Sequence, residues 1–212
     1  MLDFNAKTVH GNDDYDTFRH RCLSCDACDL SQTRTQVVVG TGPVPCPLMI
    51  IGEGPGEQED LKGEPFVGKA GALLSKILDS VGIDREKEVY ITNTVKCRPP
   101  NNRTPLNTEI ERCLAHLQYQ IQTVQPKILI LLGSPALKTV LGSSYTITKS
   151  RGKWFKAQVN YMQDPLYIIP LFHPAYLLRN ASKEVGQPKW LTWQDMKEVK
   201  AALSFYSSPQ TT

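Results

Sequence analysis

Short apolar runs alternate along the chain with longer segments whose apolar residues recur at helical spacing. Four runs are rich in β-branched or aliphatic residues and bounded by Gly, Pro or Asn, at residues 48–51, 89–92, 127–132 and 167–171. Runs of this length and composition predict buried strands. Two amphipathic helices are predicted between them, one with the apolar face Leu73, Leu74, Ile77, Leu78 and Val81, the other with Ile110, Leu114, Leu117, Ile121 and Val124.

Capping residues and prolines indicate where the helices begin. Thr108, with Glu111 three residues later, has the pattern of a capping box and predicts the start of the second helix. A third helix is predicted after Ser134-Pro135 and a fourth over residues 188–205. Because strands and helices alternate, we predict an α/β fold in which a parallel sheet carries helices on both faces.

Length and composition favour one globular domain. The chain has 212 residues, of which 41% are hydrophobic and 21% are charged, enough to bury one substantial core without a bias toward disorder. The sequence has no internal repeat. We therefore predict a single domain over residues 1–212, with residues 1–20 and 206–212 prone to fraying.

Hydropathy and charge bear on location and partners. No apolar run approaches the roughly 20 residues needed to span a bilayer, and the start, Met1-Leu2-Asp3-Phe4-Asn5, lacks a basic and then apolar leader. We therefore expect an intracellular, cytoplasmic protein without a membrane partner. The formal net charge of +3, from 24 basic and 21 acidic residues, suits a polyanionic partner but is also usual for a soluble enzyme.

Three polar loops begin where predicted strands end, at residues 52–56, 93–97 and 173–179. Ligands of parallel sheets bind at the carboxyl ends of the strands, so these loops should converge on one crevice. The first loop, Gly52-Glu53-Gly54-Pro55-Gly56, lacks the spacing of a dinucleotide fingerprint or a P-loop. Its crowded carboxylates would also repel a phosphate, which argues against a nucleotide cofactor.

Two side chains in these loops are candidates for catalysis. Glu53 lies beside a tight glycine turn, which would hold its carboxylate rigidly as a base for a water molecule. His173 follows the last predicted strand and is expected to project into the same crevice. Taken singly, each has an ordinary alternative, a solvated turn for Glu53 and a structural histidine for His173.

Six cysteines in a chain without an export signal favour metal binding or redox chemistry over disulfides. Cys22 would extend a C-x-x-C motif to a ferredoxin-like run, but Gln32 stands where the next cysteine would be needed, so Cys22 and Cys46 are interpreted as spares. The thiolates of the other four cysteines could surround one metal centre: Cys25, Cys28, Cys97 and Cys113. Zinc and an iron-sulfur cluster both remain open as its occupant. A place in the apolar core also remains open for Cys113.

Motifs that few protein families combine are spread from Cys25 to about Trp193. In chain order they are Cys25-Asp26-Ala27-Cys28-Asp29-Leu30 with Thr33-Arg34-Thr35, Gly52-Glu53-Gly54-Pro55-Gly56 with Glu59-Asp60, Gly63-Glu64-Pro65-Phe66-Val67-Gly68 with Ala70-Gly71, Thr92-Asn93-Thr94-Val95-Lys96-Cys97-Arg98-Pro99-Pro100 with Asn102-Arg103-Thr104-Pro105, Cys113, and His173-Pro174-Ala175-Tyr176-Leu177-Leu178-Arg179. Together they resemble the family 4 uracil-DNA glycosylases over nearly the whole chain.

The resemblance implies a fold, a cofactor and a substrate. The expected fold is a three-layer αβα sandwich with a central, mostly parallel four-stranded sheet. The expected cofactor is a 4Fe-4S cluster, and this choice over zinc rests on the resemblance alone. A monomer that removes uracil from single- or double-stranded DNA is implied, with the family's cluster ligands falling on Cys25, Cys28, Cys97 and Cys113.

The resemblance also implies roles for individual side chains. Glu53 would activate the attacking water and His173 would face O2 of the flipped uracil, which supports both charges of the transition state. The remaining residues would shape the pocket or contact DNA: Phe66 stacks on the base, Asn93 reads its amide edge, Glu59 excludes the thymine methyl group, Gly54 lines the substrate loop, Leu177 fills the gap left by the flipped base, and Arg179 lies beside it in the same motif.

One departure and two alternatives accompany this interpretation. Gly54 stands where the family usually has alanine, which is expected to loosen the turn that positions Glu53. Relatives that trap uracil covalently use a histidine in the loop that corresponds to residues 98–105, and this loop has none. A non-catalytic DNA-binding iron-sulfur module is the second alternative, and the joint presence of Glu53, Asn93 and His173 argues against it.

Overall fold

One five-stranded sheet forms the centre of the protein in the computed structural model, which describes residues 2–5 and 14–207. The sheet order is β2-β1-β3-β5-β4, with strands β1 (Leu48–Gly52), β2 (Val89–Asn93), β3 (Ile128–Leu132), β4 (Phe155–Ala157) and β5 (Leu166–Leu171). The four predicted strands are confirmed and pair in parallel. The expected count of four is wrong, because β4 adds an antiparallel edge strand. Its three partly exposed residues form no apolar run.

Nine helices of the described chain surround or extend the sheet. They are α1 (Tyr15–Leu23), α2 (Glu57–Lys62), α3 (Lys69–Asp79), α4 (Arg85–Glu88), α5 (Asn107–Val124), α6 (Gly133–Leu141), α7 (Ile147–Ser150), α8 (Pro174–Arg179) and α9 (Pro188–Ser207). The four helices predicted from periodicity correspond to α3, α5, α6 and α9. No helix in the described ranges is long and apolar enough to cross a membrane.

The two faces of the sheet are buried by different helices. On one face, Met49, Ile51 and Leu131 of the strands pack with apolar residues of α5 and α6. On the other face, Ile50 and Ile130 pack with apolar residues of α3 and α9. All five residues of each of the first three strands are buried, because side chains alternate between the faces and both faces are covered. The prediction of helices on both faces is confirmed.

The start of α5 differs from the predicted capping box. Leu106 is the N-cap, and its N–H donates to Glu109 Oε2 at 2.7 Å. Arg103 donates to both oxygens of the same carboxylate, at 2.9 and 2.6 Å. The Thr108–Glu111 prediction is wrong because Glu109 receives this bidentate pair and starts the helix two residues earlier. The pair also fastens the loop before α5 to its first turn.

A third apolar cluster lies at one end of the sheet, around α1. Phe18 is fully buried and stacks on Tyr119 with ring centroids 4.3 Å apart. Residues 15–20 belong to α1 and residues 206–207 end α9, while the fraying expected at the two ends stays a prediction. The other positions for which fraying was predicted, apart from residues 2–5 and 14, lie outside the described residues.

Candidate active site

A cavity of about 260 Å³ opens at the carboxyl ends of the parallel strands. We call it the strand-end pocket. It contains side chains from the loops after β1, β2 and β5, as expected for the crevice of a parallel sheet. Six of the residues predicted to act on substrate line it together: Glu53, Gly54, Glu59, Phe66, Asn93 and His173. The loop before α5 also contributes lining residues that were predicted only as part of a motif: Pro99, Asn102, Arg103 and Pro105.

Glu53 is held at the mouth of the sheet by its backbone. Its carbonyl oxygen accepts hydrogen bonds from Thr94 Oγ1 and from the N–H of Val95, the latter at 3.3 Å. Burial raises the pKa of its carboxyl group, while a hydrogen bond with Thr104 opposes the rise. A partly desolvated carboxylate fixed by its own loop can orient a water molecule and accept its proton.

Asn93 is the last residue of β2, and its side chain is 1% exposed. Its Oδ1 atom is buried without a hydrogen-bond partner, and no other side-chain nitrogen or oxygen of residues 2–5 and 14–207 is in that state. An unpaired buried acceptor costs about 1–3 kcal/mol, and native proteins rarely leave one. The acceptor is therefore available to a donor that enters the strand-end pocket.

His173 is the N-cap of α8, and its ring orientation follows from that position. Its Nδ1 accepts a hydrogen bond from the Ala175 N–H at 3.1 Å, so the proton of the neutral ring is on Nε2. Burial, with the positive charge of Arg179, lowers the pKa of His173 to about 4, and Glu59 opposes the shift. At neutral pH this side chain is an uncharged donor.

Phe66 forms one wall of the strand-end pocket from a strained backbone. Its φ angle is 55°, in the left-handed region that non-glycine residues rarely occupy. Its ring centroid is 5.7 Å from that of His173, with the planes tilted by 35°. Gly71 allows this arrangement, because a Cβ atom there would lie 1.8 Å from the Phe66 carbonyl oxygen. Arg85, which the sequence did not single out, donates to the carbonyl oxygen of Pro65 at 3.0 Å.

Glu59 holds the same loop from the opposite side. One of its carboxylate oxygens, Oε1, accepts hydrogen bonds from the N–H groups of Val67 at 2.9 Å and Gly68 at 2.8 Å. Two hydrogen bonds to an ionised acceptor are among the stronger polar contacts in proteins. Glu59 therefore lines the strand-end pocket and also stabilises the strained turn at Phe66.

A neighbouring side chain occupies the space that the methyl group of an alanine would need at Gly54. A Cβ atom at Gly54 would lie 2.8 Å from Cγ2 of Val95, which is fully buried. The space that an alanine side chain would occupy is thus already filled. Gly54 lies within a packed turn, contrary to the expectation of a loosened one.

The predicted DNA contacts of α8 divide between exposed and buried positions. Arg179 is exposed, whereas Leu177 is 1% exposed and Leu178 is 43% exposed. Leu177 lies in the cleft between α3 and α9 with Ile77 and Trp190. In this arrangement the Leu177 side chain is packed inside the protein, and its filling of the gap left by a flipped base stays a prediction.

Cys25, Cys28, Cys97 and Cys113, which we call the cysteine site, line one cavity. They come from the loop after α1, the loop after β2, and α5. Arg34 Nη1 lies 3.2 Å from Cys97 Sγ and donates to the carbonyl oxygen of Cys25 at 2.6 Å. Within the described ranges, no three His, Cys, Asp or Glu side chains are arranged as ligands of a single metal ion.

The two cysteines interpreted as spares differ in their surroundings. Cys46 is buried in the α5–α6 face of the core, and its sulfur donates to the carbonyl oxygen of Leu48 at 3.4 Å. Cys22 lines the same cavity as the cysteine site. Its Sγ is 3.3 Å from His116 Nδ1, and Nε2 of that ring is 3.3 Å from Cys25 Sγ. Cys22, which the spacing led us to interpret as a spare, is therefore a neighbour of the site.

Comparison with known proteins agrees with this arrangement. The profile of the uracil DNA glycosylase superfamily matches residues 39–197, three quarters of the chain, including the strand-end pocket and two residues of the cysteine site. The chain therefore belongs to the uracil DNA glycosylase superfamily.

Curated relatives narrow the position within that superfamily. The type-4 uracil-DNA glycosylase of Thermotoga maritima is 43% identical, with 85% of this chain and 90% of the relative aligned. That of Archaeoglobus fulgidus is 41% identical over 74% of this chain and 79% of the relative. The enzyme of Sulfurisphaera tokodaii is 40% identical, with 79% of this chain and 77% of the relative aligned. Within the superfamily, the chain is a member of the type-4 family.

Proposed function

We propose that the protein is a DNA repair enzyme that flips uracil out of DNA and hydrolyses its N-glycosidic bond. The products are free uracil and an abasic site. The observation that carries the proposal is the unpaired Oδ1 of Asn93, buried in the strand-end pocket beside a neutral histidine. The relatives named type-4 uracil-DNA glycosylase support the same activity.

Base selection is assigned to Asn93. Its Oδ1 would accept a hydrogen bond from N3–H of uracil, while its amide nitrogen would donate to O4. Cytosine presents an acceptor at N3 and a donor at C4, so both contacts would be reversed. In a pocket where the reader is 1% exposed, mismatched polar groups find no water and the wrong base is penalised.

The chemical step is assigned to His173 and Glu53. As the bond between N1 and C1′ breaks, its electron pair passes to the base and a positive charge develops on the sugar. The Nε2–H of His173 would donate to O2 and stabilise the uracil anion. The carboxylate of Glu53 would orient the water that attacks C1′, accept its proton and steady the sugar cation.

Other residues of the strand-end pocket would hold the extruded base. The Phe66 ring would stack on uracil, and stacking on an aromatic side chain contributes about 1–3 kcal/mol per base. Glu59, fixed by two backbone N–H groups, would stand at the C5 side and exclude the methyl group of thymine. We assign the contact with the DNA stack to the exposed Leu178, and a backbone contact to Arg179.

The cysteine site would hold a 4Fe-4S cluster through Cys25, Cys28, Cys97 and Cys113. Burial raises the pKa of the Cys113 thiol to about 12, so a bound cluster is what would keep this side chain as a thiolate. The N–H of Arg34 at Cys97 Sγ suits a negatively charged sulfur. When bound, the cluster would join three separate segments of the chain and add negative charge beside Arg34.

We further propose that residues 1–212 act as one domain and as a monomer. One continuous sheet with helices on both faces supports the single domain. Uracil-containing DNA, single- or double-stranded, is the proposed partner, which supports the intracellular location expected from the sequence.

The test is release of free base from a uracil-containing oligonucleotide. The unmodified protein should release uracil and leave an alkali-labile site, while a matched thymine oligonucleotide stays intact. Glu53→Gln should reduce the rate by roughly 10²- to 10⁴-fold, the usual contribution of a general base, without loss of DNA affinity. Binding without release by the unmodified protein would favour the non-catalytic module and contradict the proposal.

A further inference from the structure

Lys96 is a buried cation between the two sites, and the proposed hydrolysis does not use it. Its side chain is only 2% exposed. It lines the cavity of the cysteine site beside Cys22, Cys97 and Cys113. Long charged side chains are almost never fully buried unless they are paired. The groups that pair with the Lys96 ammonium therefore indicate the role of this residue.

On one side, Lys96 bonds the end of strand β2. Its Nζ donates to the carbonyl oxygen of Asn93 at 2.5 Å and to Thr92 Oγ1 at 2.8 Å. Thr92 Oγ1 is itself anchored, since it donates to the carbonyl oxygen of Val39 at 2.8 Å. The ammonium group thus closes a turn that fixes the backbone from which the Asn93 side chain enters the strand-end pocket.

On the other side, Lys96 faces sulfur. The sulfur-bearing side chains that line the same cavity as Lys96 are Cys22, Cys97 and Cys113. A buried ammonium requires compensating charge, because desolvation of an unpaired ion costs several kcal/mol. Cys97 and Cys113 would supply that charge as thiolates when they hold the cluster, whereas the oxygens on the β2 side are neutral. The position of Lys96 therefore depends on both sites.

We propose that Lys96 is a positioning residue that links the cysteine site to Asn93, so that an occupied cysteine site holds the base-reading amide in place. The inference rests on the proposed function of the strand-end pocket and cluster. Because such a link is reciprocal, uracil binding must strengthen retention of the cluster by the same factor by which the cluster strengthens uracil binding.

The first test follows retention of the cluster in the unmodified holoenzyme. Cluster loss to an iron chelator is followed by the decay of visible absorbance, with and without saturating free uracil. Uracil should slow the decay several-fold, and thymine, which the pocket excludes, should not. Identical decay with and without uracil would overturn the proposal. Failure of the enzyme to release uracil from DNA would instead contradict the proposed function, so the two failures are distinguishable.

The second test removes the link with Lys96→Met, which keeps the length of the side chain but neither its charge nor its donors. We expect a brown protein in which uracil no longer slows cluster loss. Because the reader is then misplaced, kcat for uracil should fall on the order of ten- to a hundredfold, with little change in KM or DNA affinity. Lys96→Gln, which is neutral but keeps one donor, should show a smaller loss and serves if Lys96→Met does not fold.

Two controls separate positioning from charge. Lys149→Met removes an exposed lysine of α7 and should leave both readouts at the parental value. Arg34→Gln removes a cation that bonds Cys97 Sγ and the carbonyl oxygen of Cys25 rather than β2, so it should speed cluster loss while the protection by uracil survives. A parental kcat in brown Lys96→Met, or loss of uracil protection in Arg34→Gln to the same degree, would refute the link.

Discussion

Replacement of Asn93 by aspartate tests the base-reading site with the smallest change of shape. The two side chains are nearly isosteric, so the buried position at the end of β2 keeps its volume. The acceptor that would meet N3–H of uracil is retained, while the donor to O4 becomes a second acceptor. The backbone carbonyl that receives Lys96 is untouched, and the cysteine site contains no atom of residue 93.

The magnitude follows from the burial of this residue. At 1% exposure, water cannot replace the lost donor, so the mismatch costs about 1–3 kcal/mol. This corresponds to a loss in kcat/KM for uracil of about 5- to 150-fold. An ionised carboxylate facing O4 adds repulsion and places the effect toward the upper end. Its acceptors suit the exocyclic amine of cytosine, so slow release of cytosine is expected.

The assay compares base release from oligonucleotides that differ only in one uracil, cytosine or thymine. Iron content, visible absorbance and affinity for uracil-free DNA should match those of the parent protein. Asn160→Asp, the same substitution at an exposed position, is the control for added charge. A brown, folded Asn93→Asp that excised uracil at the parental rate would refute the assignment of Asn93 as base reader.

Three further outcomes are expected. Glu53 must be ionised to accept a proton and burial raises its pKa, so kcat/KM should fall as the pH drops through a value above the ordinary 4.5. This acidic limb of the pH profile should be absent in Glu53→Gln. His173, with a pKa lowered to about 4, is still neutral there, so loss of the limb in His173→Gln alone would contradict the assignment. Protein purified without air should contain about four iron and four sulfide per chain, and zinc in their place would exclude the cluster. Gly54→Ala should lower the free energy of unfolding by about 1–3 kcal/mol and slow excision, because the added Cβ meets Val95 Cγ2 at 2.8 Å. Adding Val95→Ala to the same chain should restore both stability and rate. A Gly54→Ala variant with parental stability and rate would contradict the packing described.

Much of the fold was predictable because its signals are local. Uninterrupted apolar runs marked the four parallel strands, and the loops after three of them supplied Glu53, Asn93 and His173. Strand β4 was not predictable, since three partly exposed residues at an edge carry no periodic pattern. The capping box was misplaced because the partner of Glu109 is Arg103, six residues away, and the motif does not include it.

The parts of the site that sequence could not supply depend on contacts between distant segments. Leu177 and its neighbour Leu178 have the same chemistry, and only the packing of α8 against α3 buries the first and exposes the second. Cys22 differed from a ligand only by spacing, yet the fold places it in the same cavity as the four others. Likewise, the role of Lys96 appears only when β2 and the cysteine site are seen together.

The edges of the sheet have a consequence for behaviour in concentrated solution. An open strand edge is a template on which other copies of a chain can add strands and aggregate. Here the outer strand β4 is three residues long and carries the exposed Lys156 at its centre. At the opposite edge, Thr41 exchanges both backbone hydrogen bonds with Ile91 of β2, at 3.0 and 2.7 Å. A charge at one margin and a bridging segment at the other thus hinder strand addition, and they are expected to oppose aggregation through so apolar a sheet.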